Sequence, residues 1–229
     1  MTYLPAQDAP DTGAPASGER AGSRRALGCA FEIVETLVLT LLIYLVIHNF
    51  VAQPFEVRQS SMVPTIVHGE YILIDKLTVR WDDYQYGEVV VFEPPDDSGL
   101  AADGIPFIKR IIGLPGDTVT LENGRVFVTQ PGGNAVRIEE PYIERDAEGN
   151  AVPTTCPRPN CSGTWHIGDG EFFVMGDNRT SSQDSRAFGP IGEDLILGRA
   201  WLRYFPLDRV GIIQTPDYPS LEERTAGDG

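Results

Sequence analysis

An uncharged apolar stretch near the N-terminus constrains this chain more than any other feature. Residues 31–52 read FEIVETLVLTLLIYLVIHNFVA, and no Asp, Glu, Lys or Arg occurs from Thr36 to Phe55. As a helix this stretch would span roughly 33 Å, enough to cross a hydrocarbon core of about 30 Å. We therefore predict a transmembrane helix over residues 31–52.

Two other interpretations of this stretch stay open. It could be a buried core helix, although nothing later in the chain has the pattern of helices that would pack around it. It could also be a cleaved signal peptide, which needs small residues at the −1 and −3 positions of the cut. Cleavage after Ala52 would place the large Phe50 at −3, and Pro54 follows closely.

The charges that flank the stretch predict its orientation. Arg20, Arg24 and Arg25 precede it, whereas Arg58 is the one basic residue that follows closely. By the positive-inside rule, the N-terminus lies in the cytoplasm and everything after residue 53 lies outside. We expect a single-pass protein of the cell membrane, with the lipid bilayer as a partner. Residues 1–30, rich in Ala, Pro, Gly, Ser and Asp, are predicted to be a disordered cytoplasmic segment.

The charge balance and the apolar content exclude two classes of protein. The 229 residues include 33 Asp and Glu against 18 Lys and Arg, for a net charge of −15. Such a balance argues against nucleic-acid binding, which needs a basic face. A hydrophobic fraction of 41% excludes wholesale disorder, because it can bury a real core.

Residues 53–206 have the pattern of a β-rich domain. Short apolar runs alternate with turn signals: YILIDKLTV, EVVVFEPP, PFIKRIIGLPGD, TVTLENGRVFV, EFFVMGDN and LILGRAWLRYF. Asn123-Gly124 between two alternating runs predicts a β-hairpin. We predict a mainly β fold, in which one N-terminal transmembrane helix precedes an antiparallel β-rich domain. Residues 207–229 are polar and acidic and are predicted to be a loose tail.

Two cysteines lie close together in the outer part of the chain. Cys156 and Cys161 occur in the proline-rich stretch PTTCPRPNCSGTW, a spacing that suits a small disulfide clip outside the membrane. A zinc site would need two more ligands, and His48, His68 and His166 lack metal spacing to these cysteines. Two free thiols remain the simplest alternative. We expect no metal.

Two residues are candidates for nucleophilic chemistry. One is a serine that is followed by a turn, and the other is a lysine that lies inside an apolar run. Ser61 needs a base, and neither His68 nor His166 occurs in a recognisable triad setting. Lys109 lies in PFIKRIIGLPGD, where strand alternation sends Lys109 and Arg110 to opposite faces, one towards solvent and one towards packed apolar surface. Burial would lower the pKa of a lysine, as a general base requires. The alternative is an edge strand with two exposed cations.

A polar loop follows the apolar run EFFVM, residues 171–175. Residues 171–191 read EFFVMGDNRTSSQDSRAFGPI, in which Asp and Asn are typical turn-capping residues. Asp184 and Arg186 could pair to hold the loop. A hydroxyl from the same loop could orient a neutral lysine amine.

These segments together resemble the bacterial type I signal peptidases, membrane-anchored serine proteases with a Ser–Lys dyad. The matching stretches are QPFEVRQSSMVPTI, YGEVVVFEPP, FIKRIIGLPGDTV and GDNRTSSQDSRAFGPI. They occur in the order of the family after a transmembrane segment, and they cover roughly residues 31–206. Four ordered blocks are a specific signal, whereas an isolated SM-x-P-T would be a weak one.

The resemblance implies a role for each matched residue. Ser61 would be the nucleophile and Lys109 the general base, with no cofactor. Ser182 would orient the lysine amine, and Asp184 and Arg186 would form a supporting ion pair. Six apolar residues fall where family members shape shallow pockets for small side chains at −1 and −3 of the substrate: Phe55, Val57, Met62, Ile66, Phe107 and Ile108.

One position departs from the pattern of the family. Many relatives have a serine two residues before the nucleophile, whose hydroxyl completes an oxyanion hole with the backbone N–H of the nucleophile. Here that position is Gln59, so its amide or another backbone N–H would have to donate instead. Ser60 stands where the family often has glycine.

The resemblance implies a membrane-bound endopeptidase that removes signal peptides from exported preproteins, with its catalytic domain over residues 53–206. Three other interpretations stay in view. Self-cleaving repressors share the dyad, but they are soluble and bind DNA. A signal peptidase of the endoplasmic-reticulum kind would carry His at position 109. An inactive paralogue would bind exported chains without cutting them.

Overall fold

A computed structural model describes residues 19–95, 104–157 and 163–221 of the chain. It begins with helix α1, Glu19–Val46, followed by a π-helical turn, Ile47–Val51. The part Phe31–Val51 is long and apolar enough to cross a membrane, judged by length and composition. None of this apolar window is buried among the described residues, whereas the core-helix interpretation requires most of it to be buried.

The predicted disorder of residues 1–30 is wrong for residues 19–30, because α1 begins at Glu19. This segment reads ERAGSRRALGCA, in which Ala, Arg, Leu and Glu are strong helix formers that extend the apolar helix towards the N-terminus. Residues 1–18 lie outside the described residues, so their disorder stays a prediction.

The unit from Ile47 onward consists mainly of short antiparallel strands. In chain order they are β1 (Ala52–Glu56), β2 (Tyr71–Asp75), β3 (Val89–Phe92), β4 (Phe107–Gly113), β5 (Thr118–Glu122), β6 (Arg125–Thr129), β7 (Ala135–Arg137), β8 (Thr164–His166), β9 (Glu171–Met175), β10 (Ile191–Gly192), β11 (Ile196–Phe205) and β12 (Gly211–Ile212). A four-residue helix, α2 (Ser185–Phe188), lies between β9 and β10, and short 3-10 turns cover Thr78–Arg80, Glu193–Leu195 and Leu207–Arg209.

These strands form two sheets. The larger has the order β1-β2-β11-β3-β4-β9-β10, with β12 paired to β11, and the smaller has the order β7-β6-β5-β8. Every strand pair among the described residues is antiparallel. The prediction of a mainly β antiparallel domain after one N-terminal apolar helix is therefore confirmed.

The predicted hairpin is also confirmed. Strands β5 and β6 pair from Thr118↔Thr129 to Glu122↔Arg125, so Asn123 and Gly124 form the two-residue loop. Their φ angles are 51° and 74°. A loop with positive φ at both positions matches the right-handed twist of the strands, which is why Asn-Gly favours it.

Two apolar clusters fill the domain. The first joins the two sheets and includes Phe92, Ile111, Phe172 and Phe173. The second lies around β1, β2, β3 and β11, and it contains Val57, Met62, Ile66, Ile72, Ile74, Val89, Val91, Ile108, Ala200 and Ile213. The segment from Val57 to Glu70, which carries the candidate nucleophile, packs its apolar side chains into this second cluster.

The predicted loose tail is wrong for residues 207–221. Gly211–Ile212 forms β12, and Ile213 and Leu221 bury their side chains in the two clusters. Tyr218 packs against the first cluster, and it lies so close to Gly87 that a Cβ there would be 2.8 Å from its ring. A few apolar residues in a polar stretch thus suffice to dock it. Residues 222–229 lie outside the described residues, and for them the tail stays a prediction.

Candidate active site

Lys109, on a strand of the larger sheet, contacts Ser61, which lies in the loop after β1. Lys109 is the third residue of β4, and its Nζ lies 2.7 Å from the Oγ of Ser61. The same amine donates to the carbonyl oxygen of Ile108 at 2.9 Å and lies 5.0 Å from the centre of the Phe107 ring. Lys109 is 1% exposed and Ser61 5% exposed. The edge-strand alternative for Lys109 is excluded, since β4 lies between β3 and β9.

The surroundings of the amine favour its neutral form. Burial lowers the pKa of Lys109 from 10.5 to about 8, because an ammonium loses its hydration inside the sheet. The carboxylates of Asp184 and Asp177 oppose this change, and the charge of Arg186 adds to it. With this pKa, about a tenth of the amine is neutral at pH 7, and the neutral form is the one that can abstract a proton from a hydroxyl.

The prediction that one of Lys109 and Arg110 faces solvent is wrong, because both are 1% exposed. Alternation does send them to opposite faces, but this part of β4 is covered on both. The Arg110 guanidinium donates to both carboxylate oxygens of Asp177, at 2.9 and 2.7 Å, and stacks 4.1 Å above the ring of Tyr142. This ion pair compensates the buried charge, so Arg110 needs no solvent.

The loop of residues 176–186 holds the backbone of Ser61, the candidate nucleophile. The Asn178 backbone N–H donates to the Ser61 carbonyl at 2.9 Å, and the Asn178 side chain donates to the Ser60 carbonyl at 3.2 Å. A Cβ on Gly176 would lie 2.5 Å from the Ser61 carbonyl oxygen and 2.3 Å from the Ser182 Oγ. Glycine at 176 is therefore what allows this close approach.

Asp177 links the two candidate catalytic segments. One of its carboxylate oxygens accepts a hydrogen bond from the hydroxyl of Thr65 at 2.5 Å and another from the Arg110 guanidinium. Thr65 lies four residues after Ser61, and Arg110 is the residue next to Lys109. The local sequence predicts only turn capping for Asp177 and Asn178. The signal was present in the Gly-Asp-Asn motif after an apolar strand, but its partners lie 67 and 112 residues earlier in the chain.

Asp184 and Arg186 lie in contact inside the same loop. The Arg186 guanidinium donates to both carboxylate oxygens of Asp184 at 2.8 Å, and Gly176 N–H donates to one of them at 3.0 Å. Burial by itself would raise the pKa of Asp184, but Arg186 and the Gly176 N–H hold it below its usual range. Arg186 also donates to the carbonyls of Thr155 and Arg179, so the pair braces the loop from within.

Ser182 lies beside the nucleophile without the hydrogen bond that the resemblance implies. Its hydroxyl is buried with no hydrogen-bond partner among the described residues, and the two hydrogen bonds of the Lys109 amine go to Ser61 and Ile108. The hydroxyl instead lies against Gly176, where an added Cβ would be 2.3 Å from the Ser182 Oγ.

The candidate oxyanion donors are free of other partners in the described part of the chain. Neither the backbone N–H of Ser61 nor the side chain of Gln59 donates a hydrogen bond to the described residues. The apolar residues predicted for substrate pockets divide between the two clusters. Five belong to the second cluster or pack against it, namely Phe55, Val57, Met62, Ile66 and Ile108, whereas Phe107 belongs to the first.

The remaining candidates lie away from this site. His68 and His166 are exposed, and His166 bonds to the hydroxyl of Thr118 at 2.9 Å. Cys156 is disulfide-bonded, while Cys161 lies outside the described residues, so their pairing stays a prediction. In residues 19–95, 104–157 and 163–221, no group of three His, Cys, Asp or Glu side chains could hold a metal ion.

Comparisons with known proteins agree on one family. The family model described as signal peptidase, peptidase S26, matches residues 30–205. A probable signal peptidase I-2 from Synechocystis sp. is 35% identical over 182 residues, 80% of this chain and 76% of that protein. Signal peptidase I from Leptolyngbya laminosa is 29% identical over 91% of this chain and 96% of its own length. Signal peptidase I from Bacillus licheniformis is 30% identical over 79% and 91%.

A solved structure of a signal peptidase I from Enterococcus faecalis also aligns with the chain. It is 27% identical, covers 51% of this chain and 95% of that structure, and gives a TM-score of 0.38. The assignment of a family rests on the sequence matches above.

Proposed function

Since this chain belongs to the signal peptidase family, peptidase S26, we propose that it cleaves signal peptides from preproteins with Ser61 as nucleophile and Lys109 as general base. The observation that carries the proposal is the 2.7 Å contact between the Lys109 Nζ and the Ser61 Oγ, both buried. A serine hydroxyl is a weak nucleophile until a neighbouring group removes its proton. The pKa of about 8 for Lys109 leaves neutral amine available for this step.

The chemistry proceeds in two halves. Neutral Lys109 accepts the hydroxyl proton as the Ser61 Oγ attacks the scissile carbonyl, and the resulting ammonium protonates the leaving amine. The signal peptide is then held as an ester on Ser61. The same amine removes a proton from a water molecule as that water attacks the ester, and the ammonium then returns the proton to the Ser61 Oγ as the peptide leaves. The dyad supplies both base and acid, so the proposed mechanism uses no metal and no cofactor.

The developing oxyanion needs hydrogen-bond donors near Ser61. The backbone N–H of Ser61 is one proposed donor, since it donates no hydrogen bond to another described residue. The side-chain amide of Gln59 is the other, in place of the serine hydroxyl of many relatives. Preorganised donors of this kind contribute about 10²–10³ in rate each.

Supporting roles follow from the contacts of the 176–186 loop. Two hydrogen bonds join Arg186 to Asp184, and Asp184 accepts a further one from the Gly176 N–H, so that the pair braces the loop. We propose that Ser182 orients the Lys109 amine. Its hydroxyl is buried against Gly176 and has no hydrogen-bond partner among the described residues. The cluster that contains Val57, Met62 and Ile66 would form the base of shallow pockets. Such pockets admit small side chains at −1 and −3 and exclude larger ones.

The proposed setting is the outer surface of the cell membrane. The apolar span Phe31–Val51 ends one residue before β1, and only a short segment separates β1 from Ser61. A helix anchored in the lipid bilayer would therefore keep the nucleophile near the surface where a signal peptide emerges. The excess of arginine before the span favours a cytoplasmic N-terminus, with residues 53–206 as the catalytic domain outside.

The test is cleavage of a purified preprotein with an Ala-x-Ala site by the full chain in detergent. Wild type is expected to cut after the second Ala, and Lys109→Ala and Ser61→Ala are expected to be inactive. Two matched controls come from the chain itself. Lys76→Ala removes its second lysine, and Ser60→Ala removes the exposed hydroxyl next to the nucleophile. Both controls should retain activity.

Two results would contradict the proposal. A folded wild-type protein that binds the preprotein without cutting it would indicate an inactive paralogue. Cleavage that survives Lys109→Ala would assign the base to another residue.

A further inference from the structure

A cluster of three charged residues contacts the segment that carries Ser61, and it takes no part in the chemistry described above. It consists of Glu70, Arg203 and Arg209, here called the Glu70 cluster. We infer that Arg203 is a positioning residue for Ser61: it fixes the loop that carries the nucleophile without touching the reacting atoms. This inference rests on the proposed function.

The nucleophile lies in a closed loop of residues 57–70. The Val57 N–H donates to the Glu70 carbonyl at 2.9 Å, and the Gly69 N–H donates to the Val57 carbonyl at 2.8 Å. These two bonds join the ends of the loop. Ser61 lies inside it, so its position depends on what holds the loop between the two ends.

Arg203 reaches this loop from β11. One terminal nitrogen of its guanidinium donates to the Thr65 carbonyl at 3.0 Å and to a Glu70 carboxylate oxygen at 3.2 Å. Its Nε donates to the Arg209 carbonyl at 2.6 Å, which fixes the direction of the guanidinium. A single side chain thus connects the middle of the loop to its end and to the neighbouring strand.

The carboxylate of Glu70 completes the cluster. Glu70 is 1% exposed, and its second oxygen lies 2.5 Å from a terminal nitrogen of Arg209. The oxygen bound by Arg203 also accepts the Val67 N–H at 3.1 Å. A buried carboxylate compensated by two guanidinium groups and a backbone N–H has a fixed position, because losing one partner leaves a charge unpaired.

Thr65 transmits this fixed position to the nucleophile. Its hydroxyl is held by Asp177 from one side, and its carbonyl is held by Arg203 from the other. The turn from Ser60 to Ile66 is itself closed by backbone hydrogen bonds, Val63 N–H to Ser60 and Ile66 N–H to Met62. Movement of Thr65 therefore moves Ser61 relative to Lys109, and a displacement of about 1 Å can cost roughly 10²-fold in rate.

Arg199 on the same strand is a matched control. It also forms an ion pair with a buried carboxylate, Glu88 at 2.9 Å, and its side chain is 15% exposed against 19% for Arg203. Its partners, Glu88, Asp82, the carbonyl of Asp83 and the ring of Tyr84, lie outside the 57–70 loop. The two arginines differ in whether they hold the nucleophile segment.

The experiment compares Arg203→Ala, Arg203→Lys and Arg199→Ala with wild type in the full chain. Cleavage kinetics of an Ala-x-Ala preprotein are measured from pH 6 to 10, together with the thermal unfolding midpoint of each variant. For Arg203→Ala we expect kcat to fall roughly 10- to 100-fold, with KM within about twofold and the same pKa on the acid limb. Arg203→Lys, which retains one charged donor, should recover part of kcat, and Arg199→Ala should keep kcat within about twofold.

Three outcomes overturn the inference. Equal losses of kcat in Arg203→Ala and Arg199→Ala would assign both arginines to stability alone. A shifted acid-limb pKa would mean that Arg203 acts through Lys109. If Arg203→Ala does not fold, a fully active Arg203→Lys with KM and kcat of wild type would contradict the geometric role of the planar guanidinium. Absence of cleavage by folded wild type is a separate result, because it removes the proposed function itself.

Discussion

The Nζ of Lys109 lies 2.7 Å from the Oγ of Ser61, 48 residues earlier in the chain. Both atoms are buried, and burial lowers the pKa of the amine to about 8. The two atoms are therefore in contact, and the neutral form of the Lys109 amine is populated near neutral pH. This relationship makes the pH dependence of the reaction the most direct test of the base.

We expect kcat/KM to rise with pH through an apparent pKa of about 8. The sign follows from the base: the protonated form predominates below this pKa and cannot accept the Ser61 proton. At two units below the pKa, about 1% of the plateau activity should remain. The measurement is preprotein cleavage from pH 6 to 10, with the unfolding midpoint recorded at each pH. A profile that stays flat through mildly acidic pH would rule out Lys109 as the base.

Gly176→Ala should abolish most activity while the domain still folds. The added Cβ would lie 2.5 Å from the Ser61 carbonyl oxygen and 2.3 Å from the Ser182 Oγ, so one of these groups must move. We expect a loss of kcat of roughly 10²-fold, the cost of misplacing a reacting group by about 1 Å. Gly211→Ala is the control, because nothing lies within 4 Å of a Cβ there. Unchanged kinetics for Gly176→Ala would contradict the tight contact.

Asp177→Asn should destabilise the domain strongly. The substitution leaves the Arg110 guanidinium buried without its carboxylate, which costs about 3–5 kcal/mol in comparable buried pairs. Urea unfolding of the variant would measure this loss. Glu139→Gln is the comparison, since it breaks an ion pair with Arg137 that is open to solvent and should leave the unfolding midpoint unchanged. Similar midpoints for both variants would mean that the buried pair contributes little.

Gln59→Ala tests the second oxyanion donor. If the side-chain amide of Gln59 donates to the developing oxyanion, its removal should lower kcat by about 10²–10³ with little change in KM. Gln183→Ala, an exposed glutamine in the 176–186 loop, serves as the control. A Gln59→Ala enzyme with wild-type kcat would assign the second donor to a backbone N–H.

The strands of this domain were predictable because each is a short apolar run bounded by turn residues. The hairpin at Asn123-Gly124 was predictable for the same reason, since its signal is local. The apolar neighbours of Lys109 in β4 indicated that its side chain could be buried. These predictions need no knowledge of partners that are distant in sequence.

The rest of the site depends on pairings that local patterns do not contain. Alternation predicted one solvent-facing cation in β4, but Asp177, 67 residues later, neutralises Arg110 inside the protein. The link from Arg203 to Glu70 joins residues 133 positions apart. The docking of residues 207–221 depends on isolated apolar side chains such as Ile213 and Leu221, which carry no periodic signal.

If Lys109 is the general base, as we propose, its burial also determines when the chain can act as a protease. In an unfolded chain the lysine is solvated, and its pKa returns to its ordinary value of 10.5. Almost every copy is then protonated near neutral pH, and Ser61 lies far from it. Under that proposal, folding of the sheet performs the task that removal of a propeptide performs in a zymogen: the newly made protein could not attack its neighbours, or itself, until its own core has closed.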